Sequence, residues 1–131
     1  MGKMILSFNA SPIVPDAMSW QPAVGLSRLD HDEVLMGEII ALLETALRDR
    51  VLDVNMQAHS NDFNSLRQLT HSQLPSLKIL GFDQQAKVFE AFESAVVMSD
   101  ELACKRLTPM VQKIWMSTIE SLTQHQRTVA P

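Results

Sequence analysis

The chain has 131 residues, which is enough for one domain with its own hydrophobic core. Its 46% hydrophobic and 20% charged residues, four Gly and six Pro are typical of a globular protein and exclude a collagen-like, disordered or disulfide-stapled chain. The 15 acidic and 11 basic side chains give a formal net charge of −4, and no Lys/Arg cluster offsets it, so nucleic-acid binding is not expected.

Neither a membrane anchor nor a secretory signal is predicted. No apolar run reaches the roughly 18 residues that a membrane span needs. The apolar stretch 4–8 is too short for the hydrophobic region of a signal peptide. Cys104 is the only cysteine and cannot form an internal disulfide, so we expect a reducing compartment and a cytoplasmic protein.

The N-terminal residues 1–21 differ in character from the rest of the chain. They contain two prolines and no sustained periodicity, which predicts an arm or linker. Three large apolar side chains are expected to pack if the arm packs at all: Ile5, Phe8 and Trp20. From residue 22 to 131 the chain is rich in Leu, Ala, Glu and Gln, which predicts an all-α domain.

The predicted helices begin with a short one at 22–29, opened by Pro22. A long helix follows, capped by Asp30 and running toward residue 58. Its buried face is predicted to contain Leu35, Ile39, Leu42, Leu43, Ala46 and Leu47.

Three further helices complete the pattern. Asp62 can cap a third helix that ends at Gly81, Asp83 can cap a fourth, and Ser99 or Asp100 can cap a fifth, which Pro109 is expected to kink or restart. Short connections favour antiparallel neighbours, so the predicted architecture is an up-down-up-down four-helix bundle with an extra N-terminal helix.

The third helix carries the one arrangement that indicates chemistry. A turn of 100° per residue places one apolar side toward the core: Leu66, Leu69, Gln73, Ser76, Leu77 and Leu80. His71 points the opposite way, into solvent, among Asn64, Arg67, Leu74, Pro75 and Lys78. Leu74 and Pro75 are expected to form an exposed apolar patch of the kind that protein partners cover.

This helix resembles the signature of histidine-containing phosphotransfer (HPt) domains. In the ungapped segment HSQLPSLKILG, His71, Ser76, Leu80 and Gly81 match the family pattern, and Phe92-Glu93 looks like the Leu-Glu pair of the family's next helix. The likeness covers roughly 22–122. Three positions depart from the pattern: Gln73 replaces a hydrophobe, Leu74 replaces a Lys and Pro75 replaces a Gly.

The resemblance implies that His71 is a phosphoacceptor. It would receive a phosphoryl group from a receiver-domain aspartate and pass it to a response-regulator aspartate, with Mg²⁺ supplied only by the receiver. Lys78, almost two turns from His71, and Arg67, one turn before it, are candidates to replace the missing Lys beside the phosphoryl oxygens. The partners implied are a hybrid sensor kinase and a response regulator.

Other readings of the sequence stay open or are disfavoured. The alternative is an HPt-like adaptor that binds a receiver or kinase without being phosphorylated, and a third possibility is a helical interaction domain outside signalling. Enzyme chemistry of the chain's own is not predicted, because the four histidines lack metal-ligand spacing and the four glycines form no phosphate-binding loop. No cofactor is expected, and a monomer is the simplest oligomeric state.

Overall fold

In a computed structural model of the chain, residues 19–129 are described. The described part is helical and contains no strand. Its helices, in chain order, are α1 (Pro22–Arg28), α2 (Glu33–Asp49), α3 (Val51–His59), α4 (Phe63–Leu80), α5 (Asp83–Val97) and α6 (Glu101–Val129). The predicted all-α class is therefore confirmed.

The start of α2 differs from its predicted position. Asp30 and His31 both adopt left-handed backbone angles, with φ of 56° and 61°, so the chain turns there and neither residue can open the helix. Asp32 is the N-cap instead, and its carboxylate accepts a hydrogen bond of 3.0 Å from the Leu35 backbone N–H. The helix begins two residues later as a result.

The predicted long second helix is interrupted at Arg50, which separates α2 from α3. The buried residues of α2 are Met36, Ile40, Leu43 and Leu47. Leu35 and Leu42, which were expected in the core, are exposed. The buried face is thus rotated by about one residue from the predicted one. The hydrophobic positions of α2 cover a wide arc of the helix, so their spacing alone does not fix the centre of the buried face.

Both ends of α4 and the start of α6 follow the sequence signals closely. The carboxylates of Asp62 and Asp100 cap α4 and α6, and Gly81 ends α4 with a left-handed φ of 91°. The predicted Asp83 cap is wrong: Asp83 is the first residue of α5, and the N-cap is Phe82, whose side chain forms no cap hydrogen bond. Pro109 lies inside α6, which continues past it as one helix, so the restart that was one of the two predicted outcomes is absent.

The core is formed where the helices pack in pairs. α4 packs on α5, α5 on α6, and α2 and α3 each contact both α4 and α6. The largest fully buried side chains include Trp115, Phe89 and Phe92, and the Trp115 indole N–H donates to the Leu47 carbonyl at 2.8 Å. Across residues 19–129, no helix combines the length and apolar character needed to cross a membrane.

The short helix α1 is fixed against the turn between α4 and α5. We call this region the α1 corner and define it as Trp20, Gly25, Arg28, Phe82 and Asp83. Trp20 stacks on Phe82 with ring centroids 4.5 Å apart and donates through Nε1 to the Leu80 carbonyl at 2.7 Å. The predicted packing of Trp20 is confirmed, whereas Ile5 and Phe8 lie outside the described residues.

Gly25 and Arg28 complete the corner. A Cβ on Gly25 would overlap the Leu80 carbonyl, so only glycine allows α1 to approach α4 this closely. Arg28 donates to the Lys78 carbonyl and forms a two-pronged ion pair with Asp83, with both N···O distances 2.8 Å. This pair lowers the pKa of the Asp83 carboxyl below its ordinary value, mainly through the hydrogen bonds from Arg28.

Candidate functional site

His71 lies in the middle of α4 with its side chain 63% exposed. α4 buries its opposite side against four other helices, α1, α2, α3 and α5. The predicted outward orientation of His71 is therefore confirmed. The ring stands on a helix whose N-terminus is capped by Asp62 and whose C-terminus is closed by Gly81, so the backbone beneath it is held at both ends.

The imidazole is oriented by a carboxylate on the neighbouring helix. His71 Nδ1 lies 2.9 Å from Glu93 Oε2, and the Glu93 side chain is only 23% exposed. A carboxylate accepts hydrogen bonds, so this contact places the proton of the neutral ring on Nδ1 and leaves the Nε2 lone pair free. Arg67 Nη1 approaches the same carboxylate oxygen at 3.5 Å, which makes Glu93 the centre of a three-residue cluster.

Lys78 is engaged in a second ion pair between the same two helices. Its Nζ lies 2.5 Å from Glu90 Oε2, and both side chains are about half exposed. Exposed ion pairs contribute little to stability and exchange readily, so Lys78 can leave Glu90 for a stronger anion. Of the predicted pair of cations, Arg67 contacts the same carboxylate as His71, and Lys78 lies further along α4 on the α5 side.

Leu74 does not belong to the surface around His71, contrary to the sequence-based prediction. Its side chain is 8% exposed and it is part of the hydrophobic core, together with Leu66 and Leu77. Because α4 is contacted by several helices, its buried arc is wider than one narrow stripe and extends to Leu74. The prediction that Leu74 and Pro75 form an exposed apolar patch is therefore wrong for Leu74.

Pro75 does lie on the exposed side of α4. It is one turn after His71 and has no N–H, so it cannot donate to the His71 carbonyl as an ordinary residue at that position does. The helix nevertheless runs unbroken from Phe63 to Leu80. The His71 carbonyl therefore lacks the backbone donor that any other residue at position 75 would supply.

The charges around His71 balance, because α4 contributes two cations and α5 contributes two carboxylates. Arg67 and Lys78 on α4 face Glu93 and Glu90 on α5, with His71 between the two pairs. The sequence alone indicates Glu93 only through the Phe92-Glu93 pair and gives no signal for a role of Glu90. A helix wheel of α5 beside that of α4 would have placed both carboxylates at the shared edge, since they are three residues apart.

The other histidines differ in their surroundings. His31 and His59 are exposed, whereas His125 is half-buried and packs edge-on against Trp20 with ring centroids 5.1 Å apart. In the described range, no three His, Cys, Asp or Glu side chains are placed to hold a metal ion. His71 is the histidine whose carboxylate contact and exposure together resemble a reactive site.

No family model, curated protein or solved structure matches this chain. The HPt resemblance thus depends on the residues of α4 and α5 alone.

Proposed function

We propose that the protein is a histidine phosphotransfer intermediate and that His71 is its phosphoacceptor. The single observation that carries this proposal is the 2.9 Å contact between His71 Nδ1 and Glu93, on an otherwise exposed ring. A ring with Nδ1 held by a carboxylate presents the Nε2 lone pair outward, which is the form that attacks phosphorus.

The architecture assumed by this proposal is a four-helix bundle. The contacts support it, because α4, α5, α6 and the α2–α3 pair each pack on two neighbours and form a closed ring. A bundle provides a rigid support for the imidazole, and α1 packs on α4 and α2.

The proposed transfer step uses the Nε2 lone pair of His71. His71 Nε2 attacks the phosphorus of an aspartyl phosphate on a receiver domain, a P–N bond forms, and the P–O bond to the aspartate breaks. The aspartate leaves as a carboxylate, and the proton on Nδ1 stays in place against Glu93. The positive charge of the phosphorylated ring is then stabilised by the Glu93 carboxylate, so no separate general base is required.

The chain's cations supply the remaining charge compensation. In this proposal Arg67 and Lys78 exchange part of their contact with Glu93 and Glu90 for the phosphoryl oxygens, because both pairs are solvent-accessible. The receiver provides Mg²⁺ and the acidic pocket, and this chain has no catalytic machinery of its own. The proposal includes a cytoplasmic setting, with which the buried thiol of Cys104 agrees.

The adaptor function is the second candidate, and a specific observation favours it. Two carboxylates, Glu90 and Glu93, neutralise the cations nearest His71, and a phosphoryl group would have to displace one or both. An HPt-like adaptor would keep these pairs intact and would bind a receiver through the α4–α5 face without accepting phosphate.

A phosphoryl-transfer assay separates the two functions. The protein is mixed with phosphorylated receiver domains and Mg²⁺, and acid-labile, alkali-stable label on this chain is measured. We expect label on the wild type and on His59→Gln, a matched exposed histidine, and none on His71→Gln. Stable binding of a receiver without label supports the adaptor, and the absence of both label and binding contradicts both functions.

A second variant tests the role of Glu93. Glu93→Gln retains the size of the side chain, but its amide can donate as well as accept, so Nδ1 is no longer fixed as the protonated nitrogen. We expect phosphorylation to be slowed by about tenfold or more, with the label still confined to His71. An unchanged rate would show that the carboxylate does not orient the ring for transfer.

A further inference from the structure

The Lys78–Glu90 ion pair holds an ammonium group close to His71. Lys78 Nζ lies 2.5 Å from Glu90 Oε2. Glu93, whose carboxylate contacts His71 Nδ1, follows Glu90 by three residues in α5, and both carboxylates contact α4. Three residues of helix rise about 4.5 Å and complete nearly one turn, so the ammonium is bound about one turn of α5 away from the carboxylate that orients the imidazole.

The Lys78 side chain also extends in the direction of His71. It lies seven residues after His71 on the same stripe of α4, about 10.5 Å along the helix axis. Helical side chains lean toward the N-terminus of their helix, which for Lys78 is the direction of His71. Lys78 is the only lysine of α4, so it is the one ammonium group that this helix offers to a phosphoryl group on His71.

Glu90 competes for this ammonium with any phosphoryl group on His71. The Lys78 and Glu90 side chains are 55% and 43% exposed, so their pair is solvated and opens at a small cost in free energy. That cost reduces the stabilisation that Lys78 gives to the phosphorylated histidine, because the ammonium leaves one anion to reach another.

Arg67 is not withheld in the same way. Its Nη1 lies 3.5 Å from Glu93 Oε2, the oxygen that also contacts His71 Nδ1. Because the ring and the guanidinium share this one carboxylate, Arg67 stays beside His71 while it remains paired. Within the described part of the chain Glu90 pairs with Lys78 alone, so the opening of this pair decides whether a further cation moves to His71.

We propose that Glu90 is a positioning residue that withholds Lys78 from the phosphoryl group and thereby slows the phosphorylation of His71. This inference rests on the proposed function of His71 as phosphoacceptor. In the transfer step, the P–N bond to Nε2 forms as the P–O bond to the donor aspartate breaks. Lys78 Nζ leaves Glu90 Oε2 for a phosphoryl oxygen, and no proton is transferred between them. A phosphoryl group held this weakly passes readily to the next aspartate.

Phosphoramidate tests the proposal on the full chain, because it phosphorylates histidine without a receiver domain. The P–N bond of the donor breaks, a P–N bond to His71 Nε2 forms, and ammonia leaves. Phosphorus NMR measures the initial rate, and the label on His71 is the difference between the wild type and His71→Gln. We expect Glu90→Gln to raise this rate by about threefold and Lys78→Gln to lower it by about threefold, the size of effect that one exposed ion pair gives.

The matched control is Glu101→Gln. Glu101 forms an exposed ion pair with Lys105 in α6, with an N···O distance of 3.6 Å. The substitution therefore makes the same change from carboxylate to amide in a lysine pair that includes neither α4 nor α5. We expect the phosphorylation rate of this variant to equal that of the wild type.

A double variant separates an effect through Lys78 from an effect of charge alone. Glu90→Gln should have little effect on chains that already carry Lys78→Gln, and its effect in the wild type should weaken as ionic strength rises. An equal increase with and without Lys78, an increase matched by Glu101→Gln, or no increase would overturn the role of Glu90 and leave His71 as the phosphoacceptor. Absence of label on His71 in every variant would overturn both this inference and the proposed function.

Discussion

The α1 corner and the His71 cluster are both built on α4, yet they are held in opposite ways. In the corner, backbone carbonyls, a glycine and a fully buried Phe82 fix two segments in one arrangement. In the His71 cluster, which we define as Arg67, His71, Lys78, Glu90 and Glu93, partly exposed side chains are held only by ion pairs and side-chain hydrogen bonds. Substitutions in the corner should therefore change stability, and substitutions in the cluster should change chemistry.

The largest effect is expected at the point of closest approach in the corner. Gly25→Ala places a methyl group against the Leu80 carbonyl, and α1 must move away from α4. We expect the free energy of unfolding to fall by about 2–3 kcal/mol, as in other overpacked sites. Urea denaturation monitored by circular dichroism measures the change.

The matched control for Gly25 is the other helical glycine. Gly37→Ala meets nothing within 4 Å, so only helix propensity acts, and the free energy of unfolding should rise by about 0.5–1 kcal/mol. If both glycine substitutions destabilise equally, the close contact in the corner does not have the energetic role assigned to it.

A smaller effect of opposite sign is expected beside His71. Pro75→Ala restores an N–H that can donate to the His71 carbonyl, so the helix regains an interior hydrogen bond. We expect a stabilisation of about 1 kcal/mol, part of the interior cost of proline being offset by the greater freedom of the unfolded Ala chain. Thermal unfolding of Pro75→Ala and of Pro109→Ala in α6 measures the two changes in stability. The comparison shows whether Pro75 differs from another exposed proline inside a helix.

The Arg28–Asp83 pair makes the corner sensitive to acid. Because the pKa of Asp83 is lowered in the folded protein, the pair contributes stability above the ordinary carboxyl pKa, and this contribution is lost as pH falls through the lowered value. Both side chains are at least 40% exposed, so solvent screens the pair and the effect is small. Asp83→Asn should be less stable than wild type at neutral pH, and the difference should shrink below about pH 4.

The smallest effect on stability is expected at the centre of the cluster. His71→Gln removes an exposed ring whose contact to Glu93 is replaced by solvent, so the free energy of unfolding should change by less than about 0.5 kcal/mol. Chemical denaturation of the same sample used for phosphoryl transfer checks this. A loss of label together with a large loss of stability would point to a structural role for the histidine.

How much of this molecule the sequence predicts depends on whether the signal is local. The carboxylate caps at Asp62 and Asp100 and the left-handed Gly81 are local signals, and the structure has all three. The outward orientation of His71 also follows from the periodicity of one helix. Leu74 was misplaced because its burial depends on how many helices surround α4, which one helix's pattern does not contain.

The long-range contacts were harder to predict for the same reason. Glu93 was recognised as part of a sequence pair, but its contact with His71 depends on the register between α4 and α5. Likewise, nothing near Gly25 indicates that it will meet a carbonyl 55 residues later in the chain. Pairing between elements is fixed by packing, whereas caps and turns are fixed by a few adjacent residues.

The attachment of α1 has a consequence for the order in which the protein forms. Trp20 and Arg28 are synthesised before the carbonyls that accept their hydrogen bonds, which lie 60 and 50 residues later in the chain. Such non-local contacts carry a loop-closure cost that is met only after the intervening chain has collapsed. α1 therefore reaches its native position late, although it precedes α4 in the chain, because it docks only once the turn at Gly81 exists to receive it.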